Sequence, residues 1–157
     1  WINRLARLLA VMIFAASLLH EAAIAAGESL YQRASGIEAY LGVVPAEITK
    51  GHKPTQPEGP MHGGVPEGGY QYHLVAAVFD ANTGERITDA TVTAQVSGLG
   101  KTGTKQRLDP MFIAGTQSYG GYIVLAGPGD YTIALTIIRP AASQPITLKF
   151  PYEHSNR

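Results

Sequence analysis

The sequence predicts an all-β antiparallel domain, and three observations carry that prediction. Short runs rich in Val, Ile, Thr, Tyr and Phe recur along the chain, separated by turn residues. Glycine and proline number 18 and 10 in 157 residues, the turn content that many short strands require. From residue 26 onward no stretch keeps the 3.6-residue apolar period of an amphipathic helix.

Residues 1–25 read as an export signal. Arg4 and Arg7 form a positive start, Leu8 to Leu19 is an apolar run, and Ala23-Ile24-Ala25 offers small residues for cleavage. The run is too short to cross a bilayer comfortably, because a spanning helix needs about 20 apolar residues. The expectation is a cleaved signal peptide, one domain over residues 26–157, and a bacterial periplasmic location.

Glu28 to Ser35 reads as a short helical turn, and Gly36 to Val44 as a first strand ended by Pro45. Residues 49–69 then hold Gly, Pro, His, Lys and Glu with few apolar side chains. A loop of that length is usually functional or disordered, and this one carries His52, Met61 and His62. Tyr70 to Asp80 is the most strand-like segment. His73 shares a face with Val75, Ala77 and Phe79, and Tyr72 with Leu74, Ala76 and Val78, so both faces are apolar. Such a strand belongs in the middle of a sheet, with His73 at least partly buried. Ala81-Asn82-Thr83-Gly84 is a turn, and Asp89 to Val96 alternates as a half-buried strand. Gly98 to Gly103 is a glycine-rich connection. Lys105 to Ile113 is a weaker strand in which Pro110 marks an edge or bulge. Tyr119 to Leu125, Tyr131 to Ile138 and Ile146 to Tyr152 complete the series. About seven strands at this spacing argue an immunoglobulin-like antiparallel β-sandwich, with a closed barrel as the alternative.

Composition removes several function classes. The formal net charge is zero, without the basic stripe that nucleic-acid binding needs. The absence of cysteine excludes disulfides, thiolate metal sites, a Cys nucleophile and a lipoprotein anchor. No nucleophile elbow, His-Glu-x-x-His, phosphate loop or dinucleotide fingerprint occurs, so an enzyme is not expected. Asp80, Asp89, Asp109 and Asp130 read as turn caps.

The metal-ligand inventory after residue 25 is His52, His62, His73 and His154 with Met61 and Met111. A His/Met mixture without thiolates suits copper, because thioether sulfur favours Cu(I) and imidazole accepts either oxidation state. Ferrous iron or zinc could use the histidines with a carboxylate such as Glu67. Each residue also has a structural reading: a buried histidine is often a hydrogen-bonded core residue, Met111 could fill the core, and loop histidines are commonly solvated.

The second half carries a distinctive order: Leu108-Asp109-Pro110-Met111, then Gly115-Thr116-Gln117-Ser118-Tyr119-Gly120, then Gly129-Asp130-Tyr131-Thr132-Ile133, then Ile138-Arg139-Pro140. It resembles the periplasmic iron/copper-binding proteins that accompany bacterial ferrous-iron permeases, over roughly Tyr70 to Pro140. The resemblance implies an immunoglobulin-like sandwich that forms a homodimer and binds copper through Met and His side chains and a nearby carboxylate. It also implies an inner-membrane permease as partner. By position, His73 and Met111 match ligands. Three departures stand against a full copy of that site. Val75 replaces the carboxylate expected two residues after His73, Gln117-Ser118 replaces a histidine, and Ala141-Ala142-Ser143-Gln144 replaces a histidine-bearing loop. His62 and Met61 are then candidate replacement ligands from the long loop. The expected function is an exported copper- or iron-binding protein. The second reading is a structural or interaction module that docks to an envelope partner through an edge strand.

Overall fold

Ser35-Gly36, Leu99-Gly100 and Ala114-Gly115 each place two consecutive residues at positive φ: 51° and 77°, 52° and 71°, 50° and 76°. Two successive left-handed residues make the turn whose twist matches a two-residue hairpin, and glycine accepts the second position without strain. The computed structural model, which describes residues 30–49, 66, 68–140, 142 and 144–155, accordingly has three tight hairpins. They join β1 (Tyr31–Ala34) to β2 (Ile37–Pro45), β4 (Thr91–Gly98) to β5 (Lys101–Ile113), and β5 to β6 (Thr116–Val124). Strand β3 (Gln71–Asp80) lies between the first two hairpins in sequence, and β7 (Gly129–Ile138) and β8 (Ile146–His154) follow. A four-residue helix, α1 (Ala46–Thr49), turns the chain away at the end of β2.

The strands form one continuous antiparallel order, β1-β2-β3-β6-β5-β4-β7-β8. The two ends of that order, β1 and β8, come into contact, so the sheet is rolled and nearly closed. One hydrophobic core fills it. Leu74, Val78, Val92, Leu108, Tyr119, Ile133, Leu135 and Phe150 are all essentially inaccessible to water.

The all-β expectation holds, but one rolled, nearly closed sheet stands where a two-sheet immunoglobulin-like sandwich was expected, closer to the closed-barrel alternative, and two further details change. The described residues hold eight strands rather than seven. Tyr31–Ala34, part of the segment expected to be helical, is a strand paired with β2 through Tyr31–Tyr40 and Ala34–Ile37. The turn at Ser35-Gly36 forces that pairing, which also stacks the Tyr31 and Tyr40 rings at 4.8 Å. The second change concerns β5, which is the longest strand rather than a weak one. Its first part, Lys101 to Leu108, pairs with β4, and its last part, Asp109 to Ile113, pairs with β6. Pro110 lies just past the point where β5 has left β4. One side of the strand is unpaired there, so the missing N–H costs no ladder bond.

Candidate metal centre

Strand β3 is an interior strand, flanked by β2 and β6. Tyr72, Leu74, Ala76 and Val78 face the core, which turns His73, Val75, Ala77 and Phe79 to the outer face. His73 is nevertheless only 7% exposed. Val44 and Tyr122 stand opposite it on the neighbouring strands, and the Tyr122 ring lies 5.2 Å from the imidazole, centre to centre.

Met111 lies on the same outer face. Tyr119 and Ile123 of β6 point into the core, so Ser118, Gly120 and Tyr122 point out, and Met111 of β5 is the register partner of Ser118. Met111 is 3% exposed yet sits apart from the core cluster. The reading of Met111 as core filler therefore does not describe its place. His73 and Met111 flank β6 from opposite sides, one level with Tyr122 and the other with Ser118. Four residues along a strand and two strand spacings across put their Cα atoms about 16 Å apart in one chain.

Between them the face is shallow. Gly42, Val75, Gly120 and Asp109 form one cross-strand row, and two of the four lack a side chain. Asp109 closes the row two residues from Met111, with its carboxylate 3.7 Å from Arg107 Nε. Sequence reasoning read Asp109 as a turn cap. It is a mid-strand residue, because β5 runs straight through Leu108-Asp109-Pro110. Its shared parity with Met111 was the available signal.

The positions where a ligand histidine was missing are occupied structurally. Gln117 Nε2 donates to the Thr88 carbonyl at 2.6 Å, and Arg86 Nη1 donates to the Gln117 carbonyl at 3.0 Å while lying 3.4 Å from Ser118 Oγ. The Arg86 guanidinium also covers the Phe79 ring at 4.5 Å. A fixed cation therefore stands one side chain away from Met111. That disfavours a divalent ion there more than it disfavours Cu(I).

Asp80 does cap its turn as expected. Its Oδ1 accepts the Asn82 and Thr83 amides at 3.0 and 3.2 Å, and its Oδ2 accepts Arg139 Nη1 at 2.9 Å. The Asn82 amide first, then the Arg139 guanidinium and the Thr83 amide, hold its carboxyl below the usual aspartate range. His62, Met61, His52 and Glu67 lie outside the described residues, as does the expected signal at residues 1–25. Among the described residues no three His, Asp or Glu side chains converge on one point.

His154 belonged to the ligand inventory but not to the expected site. His154, at the end of β8, is buried at the open end of the rolled sheet. Its Nδ1 meets the Gly127 carbonyl at 2.7 Å and its Nε2 meets Tyr72 Oη at 2.5 Å. Both residues line a cleft of about 550 Å³, together with Glu47, Tyr70, Tyr152 and Glu153.

No protein-family model and no curated protein matches the chain. Solved structures do resemble it in fold. A DUF4426 family protein from Pseudomonas aeruginosa PAO1 aligns at 15% identity and TM-score 0.57, over 82% of this chain and 94% of that one. A copper-bound variant of FetP from uropathogenic Escherichia coli strain F11 aligns at 16% identity and TM-score 0.59, over 79% and 93%. FetP as isolated after recombinant expression in the E. coli periplasm aligns at 16% and 0.60, over 81% and 93%. The expected resemblance is thus present at the level of the fold, which this chain shares with a copper-bound protein. No helix among the described residues is long and apolar enough to cross a membrane.

Proposed function

We propose that this chain is an exported, non-enzymatic metal-binding protein that holds copper, or alternatively iron, on the outer face of β3, β6 and β5. The observation that carries the reading is the pair His73 and Met111. Both are buried on the outward face of the sheet, outside the hydrophobic core, in a fold shared with a copper-bound protein. Imidazole and thioether together favour Cu(I) over harder ions. His62 and Met61 remain candidate further ligands, and Asp109 is the carboxylate nearest to Met111 on this face.

The Cα atoms of His73 and Met111 are about 16 Å apart, and one ion with bonds of about 2.0–2.3 Å would join them only if both side chains reached towards each other along the sheet, whereas strand side chains stand roughly perpendicular to it. A site using both residues therefore takes His73 from one chain and Met111 from a second copy. A twofold dimer across this face forms two such sites at once. Delivery to an inner-membrane permease, from a periplasmic location, completes the proposal.

Anaerobic titration with Cu(I) and Fe(II) tests it, with about one equivalent bound per chain expected. Saturation at a hundredfold excess over Kd should stabilise the fold by roughly 2.7 kcal/mol. Unchanged Cu(I) affinity in a His73→Ala/Met111→Leu variant would sink the assignment. A melting temperature indifferent to metal, with one envelope protein recovered by pull-down, would favour an interaction module instead.

A further inference from the structure

We infer that the cleft at the open end of the rolled sheet is a recognition site for an organic cation on an apolar stem: an ammonium or guanidinium group, presented by a free amine or by a Lys or Arg side chain of a peptide. The cleft is built where strand ends meet, from the end of β2 with α1, the start of β3 and the end of β8. Its volume of about 550 Å³ lies within the range of small-molecule sites.

Charge sets the sign of the ligand. Glu47 and Glu153 line the cleft, and its described lining residues include no Lys or Arg. Glu47 follows the buried Ala46 on α1 and is itself exposed, while Glu153 stands on the outward side of β8 and acts from the rim. The floor adds no charge. A neutral His154 satisfies both of its neighbours, with Nδ1 donating to the Gly127 carbonyl at 2.7 Å and Nε2 accepting from Tyr72 Oη at 2.5 Å. A concave site bearing one sign of charge concentrates ligands of the other.

The walls define the rest of the ligand. Tyr70, Tyr72 and Tyr152 all line the cleft. The Tyr72 hydroxyl is committed to His154 and the two ring centres lie 5.0 Å apart, so Tyr72 offers a ligand ring surface rather than a hydrogen bond. Tyr131 braces this floor by donating to the Gly127 carbonyl at 2.8 Å. Tyr70 is 57% exposed and sits at φ 66°, an uncommon conformation for a bulky residue, with its carbonyl accepting the Leu125 amide at 3.0 Å. Ile48, 62% exposed, and Val44 line the same cleft. Large apolar side chains gathered on one concave, accessible surface mark a contact site. Aromatic rings attract a cation within about 6 Å of their centres, and the aliphatic side chains cover its stem. An anion meets two carboxylates here, and a neutral group gains nothing from them.

The test compares three head groups on one stem. Hexyltrimethylammonium, hexanol and hexanoate are titrated separately into the full chain, and amide chemical shifts are followed. The ammonium should bind about three- to thirtyfold more tightly than hexanol, the combined worth of an exposed cation–π contact and an exposed charge pair. Hexanoate should bind most weakly, and the ammonium shifts should centre on Ile48, Tyr70 and Tyr72. Added salt should weaken the ammonium alone. Glu47→Gln/Tyr70→Leu should remove most of the preference while hexanol binding and Cu(I) binding at the sheet face persist, which separates this site from the one proposed above. The peptide acetyl-Leu-Lys-Leu-amide should outbind its norleucine counterpart in the same way. Tighter binding of that peptide than of hexyltrimethylammonium assigns the ligand to a peptide side chain, and the reverse assigns it to a free amine. Equal binding of the three head groups, tightest binding of hexanoate, or shifts centred away from the cleft overturns the inference. So does an ammonium preference that survives the double substitution. Should that variant fail to fold, the head-group comparison in the wild-type chain decides the matter.

Discussion

Mixing two inactive variants offers the sharpest test of the sheet-face site. One variant carries His73→Ala and the other Met111→Leu. The structure puts these residues level with Tyr122 and Ser118 of β6, with Cα atoms about 16 Å apart, and side chains that stand roughly perpendicular to a sheet do not close that gap to the about 4.6 Å between two donor atoms of one ion. If they share an ion, they do so between chains. In a twofold dimer each site takes His73 from one chain and Met111 from the other, so either substitution made throughout breaks both sites. A mixed dimer concentrates the damage: one site has lost both ligands and the other has kept both. Random exchange of equal amounts makes about half of the dimers mixed, so about one quarter of the wild-type Cu(I) capacity should return. The assay is competition against a chromogenic Cu(I) chelator, with exchange verified by native mass spectrometry. No recovery after verified exchange refutes the shared site. So does wild-type affinity in either variant alone.

Other expectations follow from the same structure. Tyr119 is fully buried, with its hydroxyl donating to the Ile87 carbonyl at 3.1 Å and accepting the Ala90 amide at 3.0 Å. Tyr119→Phe strands both groups and should cost about 1–3 kcal/mol in urea unfolding. Burial raises the Tyr119 pKa, so its contribution is complete below the phenol's unfolded pKa and lost as pH rises above it. Alkaline unfolding followed by circular dichroism, with Tyr119→Phe showing the shallower slope, checks this. Asp80 runs the other way. Its lowered pKa gives stability that is present above the unfolded aspartate pKa and lost as pH falls through the folded one, so Asp80→Asn should flatten the acid limb of a Tm–pH profile. Gly98→Ala would put a Cβ 2.7 Å from the Asp130 carbonyl oxygen and 2.5 Å from the Tyr131 ring. A backbone neighbour cannot swing aside, so a loss of about 1–3 kcal/mol is expected in thermal or denaturant melts.

Much of the fold was legible in the residues. Alternation placed β4 and β7 within a few residues, and apolar side chains on both faces of Tyr70–Phe79 announced an interior strand with a buried histidine. Tyr31–Ala34 was misread because four exposed or half-exposed residues carry no period, and only the turn after them makes a strand. The length of β5 was hidden for a related reason. Its polar residues at Lys101, Thr102, Lys105, Gln106 and Arg107 are exposed, and an exposed stretch leaves little burial pattern in the sequence. The candidate site was less visible. His73 and Met111 could be named from residue type and motif order, but Asp109 looked like punctuation beside Pro110, and His154 stood beyond the last expected strand, which ended at Tyr152.

The sequence by itself determined the all-β character, the lack of any thiol chemistry and the inventory of soft and nitrogen ligands, because these depend on composition and on a period of two. Only the tertiary structure decided which side chains meet. Strand register, an offset of four residues across β6, keeps His73 and Met111 apart within one chain. Closure of the sheet brings Tyr72 to His154 across 82 residues. Both are properties of pairing between distant strands, set by turn geometry and shared core burial, and local sequence carries no record of them.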